Sequence, residues 1–268
     1  MRSFLKKYYI KKILKKNKII INKTNTTEVL SLIERLRPQN VGLDLIRLGS
    51  DEDGGYLIPD DLDNLEACFS PGVHQISDFD KACSDRGMHL YLADKTIEKP
   101  NLDIDSSKFT FLKKHIGTTS NSETITLDDW ANSSLPGKGD NLILQMDIEG
   151  AEYFSLINIS DALINRFRII IIEFHSLEKL WNPEFYNIAL EAFNKVLKHH
   201  TCVHIHPNND QEISKEHGVE IPRVAEFTFI HNSRIKDKTP TQNFPNPLDF
   251  DNNPAKPHVV LPEIWYKS

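Results

Sequence analysis

The fold is decided by residues 141–152, which read NLILQMDIEGAE. Residues 141–146 are mostly apolar, a run typical of a strand that is covered on both faces of a sheet. The pattern then changes to a helix near Gly150, and three acids, Asp147, Glu149 and Glu152, fall at the junction. Like charges placed this close disfavour one another unless a cation or a helix dipole compensates. The junction is therefore either a helix cap or a functional site.

Similar short apolar runs alternate with helical patterns on both sides of this stretch, which predicts βαβ units and a mainly parallel α/β sheet with helices on both faces. We predict a loop over residues 46–61. The predicted strands are Leu65–Phe69, His89–Ala93, Phe109–Lys113, Asn141–Met146, Arg168–Phe174, Cys202–His206 and Ala225–Ile230. The predicted helices are Thr26–Leu36, Ile76–Arg86, a segment starting at Gly150, and Pro183–His199.

The composition is that of a globular protein. The chain has 268 residues, of which 39% are hydrophobic and 26% are charged, and this argues against a disordered or membrane-spanning protein. The three cysteines form no paired framework, which indicates a reducing compartment, so we expect a cytoplasmic protein. We expect three parts: a basic segment at 1–25, a main domain at 26–235, and a proline- and asparagine-rich arm at 236–268 that packs on the domain.

The charge is unevenly distributed. Residues 1–23 contain nine lysines and arginines and no acid, so the rest of the chain has 23 basic against 38 acidic residues, a net charge of −15. An acidic body is not expected to bind nucleic acid, because binding to the phosphate backbone needs a basic face. The basic segment is either an interfacial contact with the inner face of a membrane or with a partner, or a solvated tail.

Two features suggest a nucleoside site. A turn containing Gly72 follows the first strand of the sheet and leads into a helix near Asp78, where a ligand could approach the backbone. Asp94 ends the next strand, 22 residues after Gly72, and a carboxylate at this spacing can bind both ribose hydroxyls. The alternatives are an ordinary turn, a helix-capping Asp78 and a surface acid.

A further group of candidates follows the later strands. Glu173 and His175 alternate along one strand, as do His204 and His206 along another, so the members of each pair share a face. Together with Asp147, these side chains could form a mixed nitrogen and oxygen site for a divalent ion. Each histidine taken singly could equally be a hydrogen-bonded core residue.

The sequence MDIEGAEYFSL (residues 146–156) resembles the FkbM family of S-adenosylmethionine-dependent methyltransferases, which is marked by an Asp-x-Glu-Gly-x-Glu run. Three further stretches are similar to one branch of the family: DGGYLIP at 53–59, FSPGVHQISDFDKACSDRGMHLYLAD at 69–94, and FLKKHIGTTS at 111–120 with TLDDW at 126–130. The resemblance covers about residues 45–232. It departs at Ser70-Pro71-Gly72, which replaces a turn richer in glycine.

The resemblance implies a Rossmann-like, seven-stranded class I methyltransferase sheet whose last strand is antiparallel. It implies S-adenosylmethionine as cofactor and O-methylation of a sugar or glycan precursor, such as a nucleotide-linked sugar for surface polysaccharide. We expect the methionine end of the cofactor to be bound by Ser70, Gly72 and Asp78. We expect Asp94 to bind the ribose, and Ile116 and Gly117 to contact the adenine. Asp53 and Tyr56 are expected to close over the site.

Two mechanisms remain open for activating the acceptor hydroxyl. A Mg²⁺ or Mn²⁺ ion at Asp147, Glu173, His175 and His206 would lower the hydroxyl's pKa. Alternatively, His175 or His206 acts directly as a general base, with Asp147 beside it. The rival functions are a nicotinamide-dependent oxidoreductase, although the two-phosphate GxGxxG is missing from the sequence, and a non-enzymatic scaffold of a glycan pathway.

Overall fold

The computed structural model describes residues 22–73, 78–135 and 139–267. The predictions about residues 1–21 and about the start of the helix at Ile76 lie outside these ranges. The described residues form a seven-stranded sheet. Its strands are β4 (Ala67–Pro71), β5 (His89–Ala93), β6 (Phe109–Leu112), β9 (Leu142–Met146), β10 (Phe167–His175), β11 (His200–Pro207) and β14 (Val224–His231). Across the sheet they lie in the order β11-β14-β10-β9-β4-β5-β6.

The strand directions confirm the predicted fold. β14 is antiparallel to both of its neighbours, whereas β4, β5, β6, β9 and β10 pair in parallel. This is the seven-stranded class I methyltransferase arrangement, in which one antiparallel strand is inserted next to the edge. All seven predicted strands are present, with boundaries that differ by a few residues.

The sheet is buried on both faces because its central strands are apolar at almost every position. β10 is buried from residue 167 to residue 174, and its side chains alternate between two hydrophobic clusters. Ile170 and Ile172 pack in the larger cluster with Phe193, while Ile169 and Ile171 pack in the other with residues of the opposite face. Continuous apolar strands thus predict a sheet covered on both sides, as observed.

The helices cover these faces. Asn25 caps the first helix, and its side chain forms a reciprocal capping box with Glu28. The apolar face of this helix is buried and consists of Val29, Leu32, Ile33 and Leu36. The helices are α1 (Thr26–Leu36), α2 (Asp78–Asp85), α3 (Leu127–Ser134), α4 (Glu152–Asn158), α5 (Asp161–Ile164) and α6 (Pro183–Leu197), with 3-10 helices at Ser106–Lys108, Leu177–Trp181, Asn232–Arg234 and Glu263–Trp265.

The loop predicted over residues 46–61 is wrong. The structure forms an antiparallel hairpin there, from β2 (Leu45–Leu48) and β3 (Tyr56–Pro59), joined by a turn in which Gly49 and Gly54 have positive φ. Each strand has only four residues, too few to establish a period beside a polar, glycine-rich turn. The hairpin packs over the sheet, where Thr228 donates a 2.7 Å hydrogen bond to the carbonyl of Leu57.

The C-terminal arm contacts the body at several points. Trp265 is fully buried against Phe227 and donates to the carbonyl of Glu220. The arm's β15 (Thr239–Pro240) pairs with β1 (Gln39–Asn40), and two further strand pairs are β7 (His115–Ile116) with β8 (Thr124–Ile125) and β12 (Ile213–Glu216) with β13 (Val219–Pro222). None of the helices in the described part of the chain has the length and hydrophobicity of a membrane span.

Candidate functional site

The carboxyl ends of β4, β5 and β9 meet at a cleft of about 620 Å³. Parallel strands place their carboxyl ends at one edge, where α/β sheets bind ligands. Residues that line the cleft come from all three strand ends and from the hairpin turn. They are Asp53, Gly72, Ala93, Asp94, Thr96, Lys114, His115, Ile116, Asp147, Ile148, Glu149 and Ala151.

Gly72 brings two of these strand ends into contact. Its φ is +88°, and a Cβ atom built on it would lie 1.5 Å from the carbonyl oxygen of Asp147. The Gly72 amide donates to the carbonyl of Ala93, and the Asp147 amide donates to the carbonyl of Pro71. Only glycine fits this approach, so the turn after β4 needs one glycine rather than a glycine-rich loop.

Asp94 lies at the cleft, as predicted. Its side chain is 7% exposed, and one carboxylate oxygen accepts hydrogen bonds from the amide and the hydroxyl of Thr96, each 2.7 Å long. These bonds hold the carboxylate in place. Ile116 also lines the cleft, whereas the neighbouring Gly117 bonds through its amide to the carbonyl of Ile125.

A smaller cavity of about 60 Å³ adjoins the cleft and shares Asp53, Gly72 and Asp147 with it. We predicted Asp78 for this region, but Asp78 is exposed, and the acid of the same helix that lines the cavity is Asp80. Asp80 is 3% exposed, and burial raises its pKa to about 7. One of its oxygens has no hydrogen-bond partner among the described residues.

The predicted residues Ser70 and Tyr56 are joined beside this cavity. The Ser70 hydroxyl donates a 2.8 Å hydrogen bond to Oε1 of Gln145, and Nε2 of Gln145 donates a 3.1 Å bond to the Tyr56 hydroxyl. Tyr56 and Gln145 line the cavity together with Gly54 and Val73. Gln145 was not singled out from the sequence, because a single polar residue inside an apolar strand carries no motif.

The acidic run forms a tight turn rather than a helical first turn. Glu149 has a φ of +56° and is followed by Gly150 at +104°, so the helix begins only at Glu152. The fully buried carboxylate of Glu152 accepts hydrogen bonds from the amides of Ile148, at 3.2 Å, and Gly150, at 2.9 Å. Glu152 thus holds the turn, and the exposed Glu149 faces the cleft.

Glu152 also orients His175, the last residue of β10. Nδ1 of His175 lies 3.2 Å from Oε1 of Glu152, and its Nε2 lies 3.5 Å from Glu149 and 3.9 Å from both Asp147 and Glu173. Burial lowers the pKa of His175, but the hydrogen bond to Glu152 and the other carboxylates outweigh it, so the pKa is raised. Nε2 is therefore the nitrogen that faces the acids at the cleft.

Asp147 lies between His175 and the cleft. Burial raises the pKa of this carboxyl to about 6, although His175 opposes the shift. Its Oδ1 is buried and has no hydrogen-bond partner among the described residues. Asp147, Glu149 and His175 each offer a donor atom within 4.8 Å of the others, which is close enough to hold one cation.

A row of buried polar groups continues across the sheet from Glu173. Glu173 accepts a 3.0 Å hydrogen bond from Asn208, and its partner across the strands is Glu226. Asn252 of the arm donates to Glu226, at 2.6 Å, and to Asp53, at 3.3 Å. Burial raises the pKa of Glu226 to about 8 and that of Glu173 well above its ordinary value. Glu226 therefore favours the protonated form near neutral pH.

The structure divides the four predicted metal ligands between two groups. Asp147, Glu173 and His175 lie together, whereas His206 lies with His204 and Asp249. His206 pairs with Glu226, which in turn pairs with Glu173, so a whole strand separates His206 from the other three. The structure therefore separates His206 from the other three predicted ligands, and it brings Glu149 together with Asp147 and His175.

The chain was compared with protein families, curated proteins and solved structures. Residues 81–196 match the family model described as the methyltransferase FkbM domain. No curated protein matches the chain. Among solved structures, a Pyrococcus horikoshii protein described as a candidate RNA methyltransferase is 11% identical, with a TM-score of 0.33, over 63% of this chain and 77% of that one. The family match contains Asp94 and the acidic run, and it agrees with the resemblance of the sequence to the FkbM family.

Proposed function

We propose that the chain is an S-adenosylmethionine-dependent O-methyltransferase that acts on a hydroxyl of a sugar or glycan precursor. The observation that carries the proposal is the cleft itself, which has Asp94 at one end and the Asp147–Glu149 turn at the other. Its volume lies in the range of roughly 300–1,000 Å³ that is usual for small-molecule sites. Asp94 ends the second parallel strand in chain order, the position from which a carboxylate binds ribose hydroxyls.

The described residues fit this cofactor. Asp94 would bind the ribose, Ile116 the adenine, and Gly72 with the Ser70 region the methionine end. Buried carboxylate oxygens of Asp80 and Asp147 have no hydrogen-bond partner among the described residues, and both residues line the smaller cavity. Such oxygens suit a cationic ammonium group. When bound, the sulfonium supplies a methyl carbon that is already activated for displacement.

The chain's own residues then have to align a hydroxyl and remove its proton. His175 is suited to accept that proton, because Glu152 fixes the ring and leaves Nε2 facing the cleft acids. The alternative is Mg²⁺ or Mn²⁺ bound by Asp147, Glu149 and His175, with Glu173 close by, which would lower the hydroxyl's pKa. A mostly carboxylate donor set suits these ions.

The test is methyl transfer from labelled S-adenosylmethionine to a panel of nucleotide-linked sugars, with and without a chelator. Label in an alkali-stable ether on a sugar supports the proposal; label in no member of a broad panel, or in an N-methyl product, contradicts it. If the enzyme keeps full turnover after chelation, the reaction needs no metal ion, and this result favours His175 as the general base.

Ligand-induced thermal shifts separate the proposal from its rivals. S-adenosylmethionine should raise the melting temperature and NAD should not, and the shift should be lost in Asp94→Asn but kept in Asp103→Asn, an acid outside the cleft lining. A shift with NAD alone would favour an oxidoreductase. No shift with either would favour a scaffold.

A further inference from the structure

A second cluster of ligating side chains lies outside the cleft. His204 and His206 stand on the edge strand β11, and Asp249 belongs to the arm that packs against it. Oδ1 of Asp249 is 2.8 Å from Nε2 of His204 and 3.6 Å from Nδ1 of His206. One donor atom from each residue lies within 4.8 Å of the other two.

The convergence of these donors follows from the local structure. The two histidines are two residues apart on a strand, so their side chains leave the same face. The other oxygen of Asp249 accepts a 2.8 Å hydrogen bond from the amide of Asn246, which turns Oδ1 towards the imidazoles. His204 is further fixed by stacking on Phe244, with 5.5 Å between the ring centroids.

The spacing and burial suit one ion. Donor atoms that bind a tetrahedral zinc ion at about 2.1 Å lie roughly 3.4 Å apart, and the two distances to Asp249 bracket this value. The three side chains are 4%, 8% and 4% exposed, so an ion held among them would be shielded from solvent.

We propose that His204, His206 and Asp249 bind a divalent transition-metal cation of the zinc class, which fastens the C-terminal arm to the edge of the sheet. Two imidazoles and one carboxylate favour such an ion over Mg²⁺. The cavity of about 200 Å³ that His204 and Asn246 line gives the ion a route to the cluster. The site is separate from the cleft, and the proposal does not rest on methyl transfer.

The site would act on the cleft through the arm. Three residues after Asp249, Asn252 bonds to Glu226 and to Asp53, which lines the cleft. A bound ion would therefore hold the wall of the cleft in place without contacting the reacting atoms. Its removal should weaken substrate binding more than turnover.

The experiment is titration of the chelator-treated full chain with Co²⁺, followed by visible absorption, and with Zn²⁺, followed by metal analysis and melting temperature. We expect one equivalent of Co²⁺ with the intense d–d bands of a low-coordinate site, displaced by Zn²⁺, and a higher melting temperature with Zn²⁺. His206→Ala and Asp249→Asn should lose both responses. His258→Ala should keep them, since it removes an exposed histidine that pairs with Asp251 of the same arm.

The cleft cluster provides the second control. His175→Ala should keep the Co²⁺ bands, because the proposed site does not include His175. Loss of the bands in His175→Ala but not in His206→Ala would place the ion in the cleft and overturn the proposal. Substoichiometric binding by the wild-type chain, also after refolding with Zn²⁺, would overturn it as well.

Discussion

His175 carries the most specific chemical prediction, because four carboxylates surround one imidazole. If it removes the acceptor proton, the neutral ring is the active form, and its pKa is raised above the ordinary value of 6.5. Turnover should therefore rise with pH through a midpoint above 6.5. His175→Gln should lower kcat by about 10²–10⁴-fold, the usual contribution of a general base.

Kinetics at saturating cofactor across pH 5–9 check this prediction. His258→Gln, which removes a partly exposed histidine of the arm, should leave the profile unchanged. A flat wild-type profile, with kcat unaffected by His175→Gln, would rule out His175 as the base.

Glu226 predicts how stability depends on pH. Its pKa is raised by burial from 4.5 to about 8, so between these values the folded chain keeps a proton that the unfolded chain has lost. The free energy of unfolding must then fall as pH rises through this window. Glu226→Gln removes the decline, and we expect it to stabilise the protein at pH 8 by on the order of 2 kcal/mol, with little effect at pH 4.5.

Denaturant unfolding at both pH values tests the prediction. Glu184→Gln, at an exposed position of α6, serves as the matched control and should change little. A Glu226→Gln protein that is less stable than the wild type at pH 8 would show that the native site holds the ionised carboxylate.

Some residues of the site could be predicted from the sequence and others could not, for physical reasons. Asp94 could be predicted because it ends a strand at a fixed spacing from Gly72. Asp80 could not be separated from Asp78, because a two-residue difference on a short helix decides which acid faces the cavity and which faces solvent. Glu226 and Asn252 carry no local pattern, since their importance arises from contacts between distant segments.

At the scale of the elements, the turn from β4 to α2 depends on Gly72. Gly72→Ala places a methyl group on the carbonyl of Asp147 and adds the cost of a positive φ. Gly87→Ala, with φ +87° and no atom within 4 Å of the added Cβ, carries only the backbone cost of roughly 1–2 kcal/mol. We expect Gly72→Ala to destabilise the protein by clearly more than Gly87→Ala and to abolish cofactor binding.

Urea unfolding and calorimetric titration with S-adenosylmethionine measure the two effects. Equal destabilisation by the two substitutions would mean that the ends of β4 and β9 can move apart without a further loss of stability. The close approach of Gly72 to the Asp147 carbonyl would then not determine the shape of the cleft.

Elements differed in how far the sequence predicted them. β10 was predictable because it contains four consecutive isoleucines, at residues 169–172, flanked by Phe167 and Phe174, a run typical of a strand covered on both faces. The β2–β3 hairpin was not, because its residues gain their burial only by packing over β14 and α2. The order of the seven strands came from the family resemblance, since strand pairing across long connections leaves no periodic signal.

At the scale of the whole molecule, deletion of the basic N-terminal residues tests whether the protein is an enzyme or a scaffold. Residues 1–21 contain eight lysines and arginines, each worth about 1 kcal/mol beside an anionic membrane. Deleting them should abolish sedimentation with phosphatidylserine vesicles and leave methyl transfer to a soluble acceptor unchanged. Neutral vesicles are the control. Loss of transfer to the soluble acceptor after the deletion would contradict a self-sufficient catalytic domain.

The bridge between Asp53 and Asn252 joins residues that are 199 positions apart. During synthesis, every strand of the central sheet, the last ending at His231, leaves the ribosome before Asn252 does. A nascent chain could thus fold its sheet while one side of the cleft is still missing. Premature termination between these two points would remove Trp265 as well as Asn252, so the product would lack both one side of the ligand site and a tryptophan that is buried in the main core.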